Sequence, residues 1–165
     1  MYSHIGQDIV DENRQFGSVL PLGVDVVRMK FLVATDGSEE SEQAVERAVS
    51  DAIAHGATLE IVHVVPTEPE PRSTDGDETP HDRGERLLAD AHSRAVEKAS
   101  DETVTITTEL KTGRPANAIT DHIDESEIDS LYLGHRVRPA QQEASVGSVA
   151  KHILDTTTIP VTIVR

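Results

Sequence analysis

The chain has 165 residues, enough for one domain with a buried core and too few for two comfortable ones, and its 30 acidic against 15 basic residues leave a net charge of −15. Such a surface repels nucleic acid and anionic lipid, whose phosphates are bound through Lys and Arg, so neither is an expected partner. With no cysteine, disulfides, thiolate chemistry and cysteine-based metal sites are all excluded.

In chain order, residues 1–28 show no periodicity and are broken by Gly17, Pro21 and Gly23, which reads as a poorly ordered extension ahead of a domain over 29–165. Met29 stands directly before the first strand and is the expected authentic start. Phe31 to Ala34 is a short apolar run ended by Asp36 and Gly37, the pattern of a strand buried on both faces. Ser38 is placed to cap a helix. Glu39, Glu40 and Glu42 suit the positive end of its dipole, and Ala44, Val45, Ala48, Val49, Ala52 and Ile53 form an apolar stripe that ends near Gly56.

Leu59 to Val65 is a second buried strand. The proline-rich, acidic stretch PTEPEPRSTDGDETP that follows reads as a mobile, non-helical surface loop. Leu87, Leu88, Ala91, Ala95 and Ala99 place a second helix after it. Val104, Ile106 and Leu110 alternate with polar residues as an edge strand should. Gly113 and Pro115 open a third helix with Ala116, Ile119 and Ile123 on one face, leading to a strand that ends at Gly134. Val146, Val149 and Ile153 mark the inward face of a fourth helix, and Val161 to Val164 form a last apolar strand after Pro160. Strands alternating with helices imply a parallel sheet wound on both faces.

The segment from Leu131 to Arg165 carries the chemistry. A strand ends at Gly134, a polar loop follows, and Gly147 and Ser148 open a helix. Glycines at a strand end and at a helix start let main-chain N–H groups approach an anion, and the helix N-terminus adds partial positive charge. This segment resembles the C-terminal signature of the universal stress protein family, whose nucleotide-binding members carry glycine, two residues, glycine, nine residues, then glycine and serine or threonine. Here Gly134 is followed by His135, Arg136 and then Val137 in place of the second glycine, with nine residues to Gly147 and Ser148. The resemblance extends over residues 30–165 and includes FLVATDGSEES at the first strand.

That resemblance implies an open, doubly wound α/β fold, a five-stranded parallel sheet in order 3-2-1-4-5 with four helices, similar to the adenine-nucleotide α-hydrolases. In such a sheet a ligand binds beyond the carboxyl ends of the strands where the winding reverses, which lies between strands 1 and 4. By resemblance, Asp36 contacts the nucleoside, Ala34 and Val64 line the adenine pocket, and Leu133 is a further wall. Gly134, Gly147 and Ser148 match the phosphate loop, to which Arg136 and Arg138 add charge. Each residue also has a plainer reading. Asp36 is a common turn residue before glycine, Gly147 and Ser148 suit a closely packed helix start, and the arginines suit a solvated surface. Val137 tolerates positive φ poorly, at about 1–2 kcal/mol, and reshapes or closes the loop.

The glycine-lysine loop of P-loop proteins and the glycine pattern of dinucleotide folds are missing, and no two of the eight histidines have the helical spacing of a metal pair. His63 is expected to be packed within its strand rather than catalytic. No serine has an evident base. The expected protein is therefore a small cytoplasmic stress-response module that binds ATP or AMP, with Mg²⁺ accompanying ATP, and senses the nucleotide rather than turning it over. One alternative is a dimeric member of the family that binds no nucleotide and acts through protein partners; another is a slow ATPase. The family implies a homodimer through the last strand, Val161 to Val164. The acid excess, four lysines and few aromatics suit a halophile, whose multimolar salt screens self-repulsion.

Overall fold

Short apolar runs bounded by turn residues leave the chain little choice but to alternate strand and helix. In the computed structural model, which describes residues 28–67, 78–135 and 147–165, they do so throughout. The strands are β1 (Lys30–Ala34), β2 (Thr58–Val65), β3 (Ile106–Thr112), β4 (Ser130–Gly134) and β5 (Val161–Val164). Between them run α1 (Glu39–His55), α2 (Pro80–Ala99), α3 (Pro115–Ser126) and α4 (Ser148–Thr156). All strand pairs are parallel, and the order β3-β2-β1-β4-β5 is the expected one. The expectations for residues 1–27, 68–77 and 136–146, Val146 included, lie outside the described residues.

The helix ends follow from local chemistry. Ser38, in extended backbone, accepts the Ser41 N–H, three acids occupy the first turn of α1, and Gly56 closes it at φ 63°. One boundary differs from expectation, because Pro80, the last residue of the proline-rich stretch, is helical. Proline suits the first helical position, where its missing N–H has no partner to lose, and Thr79 with Asp82 makes a reciprocal capping box there. The Thr79 hydroxyl and N–H hold the Asp82 carboxyl below its ordinary range. On α4 the inward residues are Ala150 and Ile153, with Val149 only half-buried.

The central strands β1, β4 and β2 bury both faces, so two apolar layers form. One, beneath α1 and α2, contains Phe31, Val33, Val45, Val49, Ile61 and Leu88. The other, beneath α3 and α4, contains Leu32, Val62, Ile119, Ile123, Leu131 and Ile153. Tyr132 points into the first layer and donates to Asp51 Oδ2 at 3.1 Å; burial and that carboxylate push its phenol up to about 12. Among the described residues no helix is long and apolar enough to cross a membrane.

At the amino end of the sheet, under α3, Glu60 is only 7% exposed. Its Oε2 lies 2.7 Å from Lys30 Nζ and 3.3 Å from His122 Nε2. Burial opposes ionisation of this carboxyl, but the Lys30 ammonium, by contact and by charge, and then His122 outweigh it and hold the group below its ordinary value. The Lys30 N–H donates to Asp129 Oδ2 at 2.7 Å, tying β1 to the residue before β4.

Candidate functional site

At the opposite end, the register decides which residues share a face. Ala34 is the Cα partner of Val62 on β2 and of Leu133 on β4. Val64 lies two residues beyond Val62, so it projects to the same side. The three expected pocket walls, Ala34, Val64 and Leu133, accordingly belong to one apolar layer, together with Ala118 of α3 and Val149 of α4. Val64 and Leu133 are buried and Ala34 is half-buried, as befits a strand end that opens toward solvent.

Asp36 follows two residues after Ala34. Its Oδ1 accepts the Ser38 N–H at 3.0 Å and also the Ser38 hydroxyl, so the turn role open to an aspartate before glycine is real here. Gly37, at φ 75°, continues the turn, and a Cβ there would sit 2.9 Å from Leu87 Cδ1. Thr35 anchors the turn from below. Its N–H donates to the Val62 carbonyl at 2.9 Å, its hydroxyl pairs with Ser41 Oγ at 3.1 Å, and it accepts the Gly37 N–H at 3.2 Å.

The two motif glycines differ. A Cβ on Gly134 would overlap the backbone of Glu40 and Ser41, so the end of β4 passes the first turn of α1 only because this residue has no side chain. The fold itself requires that glycine, whatever binds nearby. Gly147 stands at φ −56°, a value open to any residue, and no atom of the described residues comes within 4 Å of where its Cβ would be. Close packing among the described residues therefore does not explain it. It occupies the N-cap of α4 with no side-chain hydrogen bond, and its carbonyl accepts the Lys151 N–H at 2.8 Å. The N–H groups of that first turn lie ahead of any intrahelical acceptor, and Ser148 is exposed beside them. Arg136, Val137 and Arg138 lie outside the described residues.

Sequence reasoning missed the residues that hold this end rigid. Thr35 and Ser41 meet only once α1 folds back on β1, and a pair of hydroxyls six residues apart gives no periodic signal. His63 is half-buried within β2, as expected, but it also has a partner. Its Nδ1 lies 2.8 Å from the Thr35 carbonyl. His135, buried after β4, sends its N–H to the Val164 carbonyl at 2.7 Å and so fixes β5 beside the same crevice.

These strand ends, turns and helix starts have counterparts in known proteins. The chain is 32% identical over 149 residues to Universal stress protein YxiE of Bacillus subtilis (strain 168), covering 82% of this chain and 98% of that one. Among solved structures, a universal stress protein from Archaeoglobus fulgidus superposes with a TM-score of 0.68 at 22% identity, over 84% of this chain and all of the other. A universal stress protein solved in complex with cAMP superposes at 0.63 with 25% identity, over 83% of this chain and 97% of that chain. A profile of the Universal stress protein family matches residues 28–165, a range that spans every described residue, and the chain belongs to that family.

Proposed function

We propose that this protein binds an adenine nucleotide, ATP or AMP, in the crevice between β1 and β4 and serves as a nucleotide-sensing stress module rather than a turnover enzyme. The observation that carries the reading is Gly147. It is a glycine that neither backbone angle nor packing among the described residues demands, at an uncapped helix start whose next residue but one, Val149, borders the layer of Ala34, Val64 and Leu133. Main-chain N–H groups at such a helix start suit a phosphate, and the apolar row at the strand ends suits an adenine ring. The family member of known structure with cAMP bound supports the choice of an adenine nucleotide.

In this reading Asp36 meets the ribose, Ala34, Val64 and Leu133 wall the base, and Gly134, Gly147 and Ser148 hold phosphate oxygens. Arg136 adds charge beside Val137, and Mg²⁺ accompanies ATP. The protein works as a homodimer through β5, which occupies a sheet edge with all four residues half-buried. It does so in a cytoplasm of high salt, where a net charge of −15 is screened. The test is Gly147→Val. Nucleotide binding should be abolished while stability falls by no more than about 1 kcal/mol, the cost of a poorer N-cap; unchanged affinity would remove Gly147 from the site. A wild-type protein that binds no nucleotide would favour the reading suggested by Val137, a family member that acts through protein partners alone.

A further inference from the structure

We propose that His63 is a positioning residue for Asp36, acting through the Thr35 carbonyl; the proposal rests on the nucleotide reading of the crevice. The carbonyl of Thr35 belongs to the peptide that enters Asp36, and a carbonyl oxygen only accepts, so His63 Nδ1, at 2.8 Å, carries the proton and donates it. Thr35 is already held at its amide by the Val62 carbonyl and at its hydroxyl by Ser41 and Gly37. Its carbonyl lies past the last rung of the parallel ladder between β1 and β2, which ends at Ala34 and Val62. The imidazole from β2 supplies a donor to that acceptor, so the carbonyl of the peptide that enters Asp36 is held, next to a preceding peptide held through the Thr35 N–H.

The ring is itself immobilised. A Cβ on Gly84 of α2 would lie 3.1 Å from His63 Cδ2 and 3.0 Å from Val65 Cγ2, so α2 presses directly on the imidazole edge. One turn further along α2, Leu87 abuts Gly37. The histidine is thus wedged between α2 and the turn, and its direction follows from packing rather than from its own rotamer freedom. A clamp of this kind orients Asp36 in the absence of ligand, which lowers the ordering cost of binding.

Two variants separate the hydrogen bond from the packing. His63→Asn keeps a donor close to the Nδ1 position, and His63→Leu keeps volume without a donor. In nucleotide-free protein, amide exchange at Gly37 and Ser38 should quicken about tenfold in His63→Leu and by less than about twofold in His63→Asn, as expected for the loss of one hydrogen bond. Affinity for ATP by equilibrium dialysis should fall about five- to tenfold in the leucine variant and be rescued by asparagine. Equal exchange in His63→Leu and wild type, or an asparagine variant as disturbed as the leucine one, overturns the clamp. Faster exchange with unchanged affinity overturns the positioning role. If wild-type protein binds no ATP, the nucleotide reading fails and the exchange data still decide the clamp. Imidazole ¹⁵N shifts of the wild type give a check that needs no variant: a neutral ring protonated on Nε2 rather than Nδ1 contradicts the assignment.

Discussion

At the amino ends of β1 and β2, Lys30, Glu60 and His122 meet beneath α3 around a carboxylate that is nearly sealed from water. At the carboxyl ends of β1 and β4, the chain instead turns through Asp36 and Gly37, and α4 starts at Gly147 without a side chain to cap it. The first end matches buried charge with charge inside the molecule. The second leaves an exposed serine and a turn of main-chain N–H groups at the mouth of an apolar row. What differs is not β1, which runs between the two ends, but whether charged side chains face one another inside the molecule or polar groups are directed out of it. A ligand site is expected at the second end, beyond the carboxyl ends of the strands.

The sharpest contrast lies within the motif. Gly134→Ala should destabilise by about 3 kcal/mol or more, because the added Cβ overlaps helix backbone, which has little room to shift. Gly147→Ala should cost less than about 1 kcal/mol, the loss of a better N-cap, because φ −56° and the absence of described neighbours otherwise tolerate it. Denaturant midpoints in concentrated KCl compare the two; equal losses would erase the distinction drawn between a glycine of the fold and a glycine of the site.

At the sealed end, Glu60→Ala should cost about 2–3 kcal/mol, below the figure for a fully enclosed pair because Lys30 retains access to water. The pH dependence has a definite sign. A carboxyl whose folded pKa lies below its ordinary value of 4.5 contributes stability above that value, and loses it as pH falls through the folded pKa. Acid unfolding followed by circular dichroism should show this limb below about pH 4.5 in wild type and a weaker one in Glu60→Gln.

Tyr132→Phe is a smaller perturbation, about 1 kcal/mol for the bond to Asp51. The raised phenol pKa means that stability present below the ordinary value of 10.0 is lost as pH climbs toward about 12. The phenylalanine variant should lack that alkaline limb. Thr79→Ala should likewise cost about 1 kcal/mol by removing one side of the capping box on α2.

The elements were legible because each is bounded by residues that do one thing well. Ser38 caps, Gly56 takes a left-handed conformation, and the runs Phe31 to Ala34 and Leu131 to Leu133 are too apolar to be anything but buried. Strand order was not legible from periodicity, which says nothing about neighbours; it came with the family resemblance. The start of α2 was misplaced because a proline-rich run hides the one proline that opens a helix. The site was legible as a constellation of positions, but not as a set of causes. Gly134 and Gly147 look alike in one dimension, and only the approach of α1 to β4 shows that the fold demands the first and not the second. His63 and Glu60 were hidden for a related reason, since their partners Thr35, Lys30 and His122 lie on other elements.

The central claim is that the crevice between β1 and β4 holds an adenine nucleotide. Its most direct test is to extract and identify the nucleotide carried by purified protein in multimolar KCl, and then to repeat equilibrium dialysis with ATP and AMP on wild type and Asp36→Ala. Binding in the wild type that is lost in a folded Asp36→Ala variant is the predicted result. No binding in either protein, or equal binding in both, would contradict it.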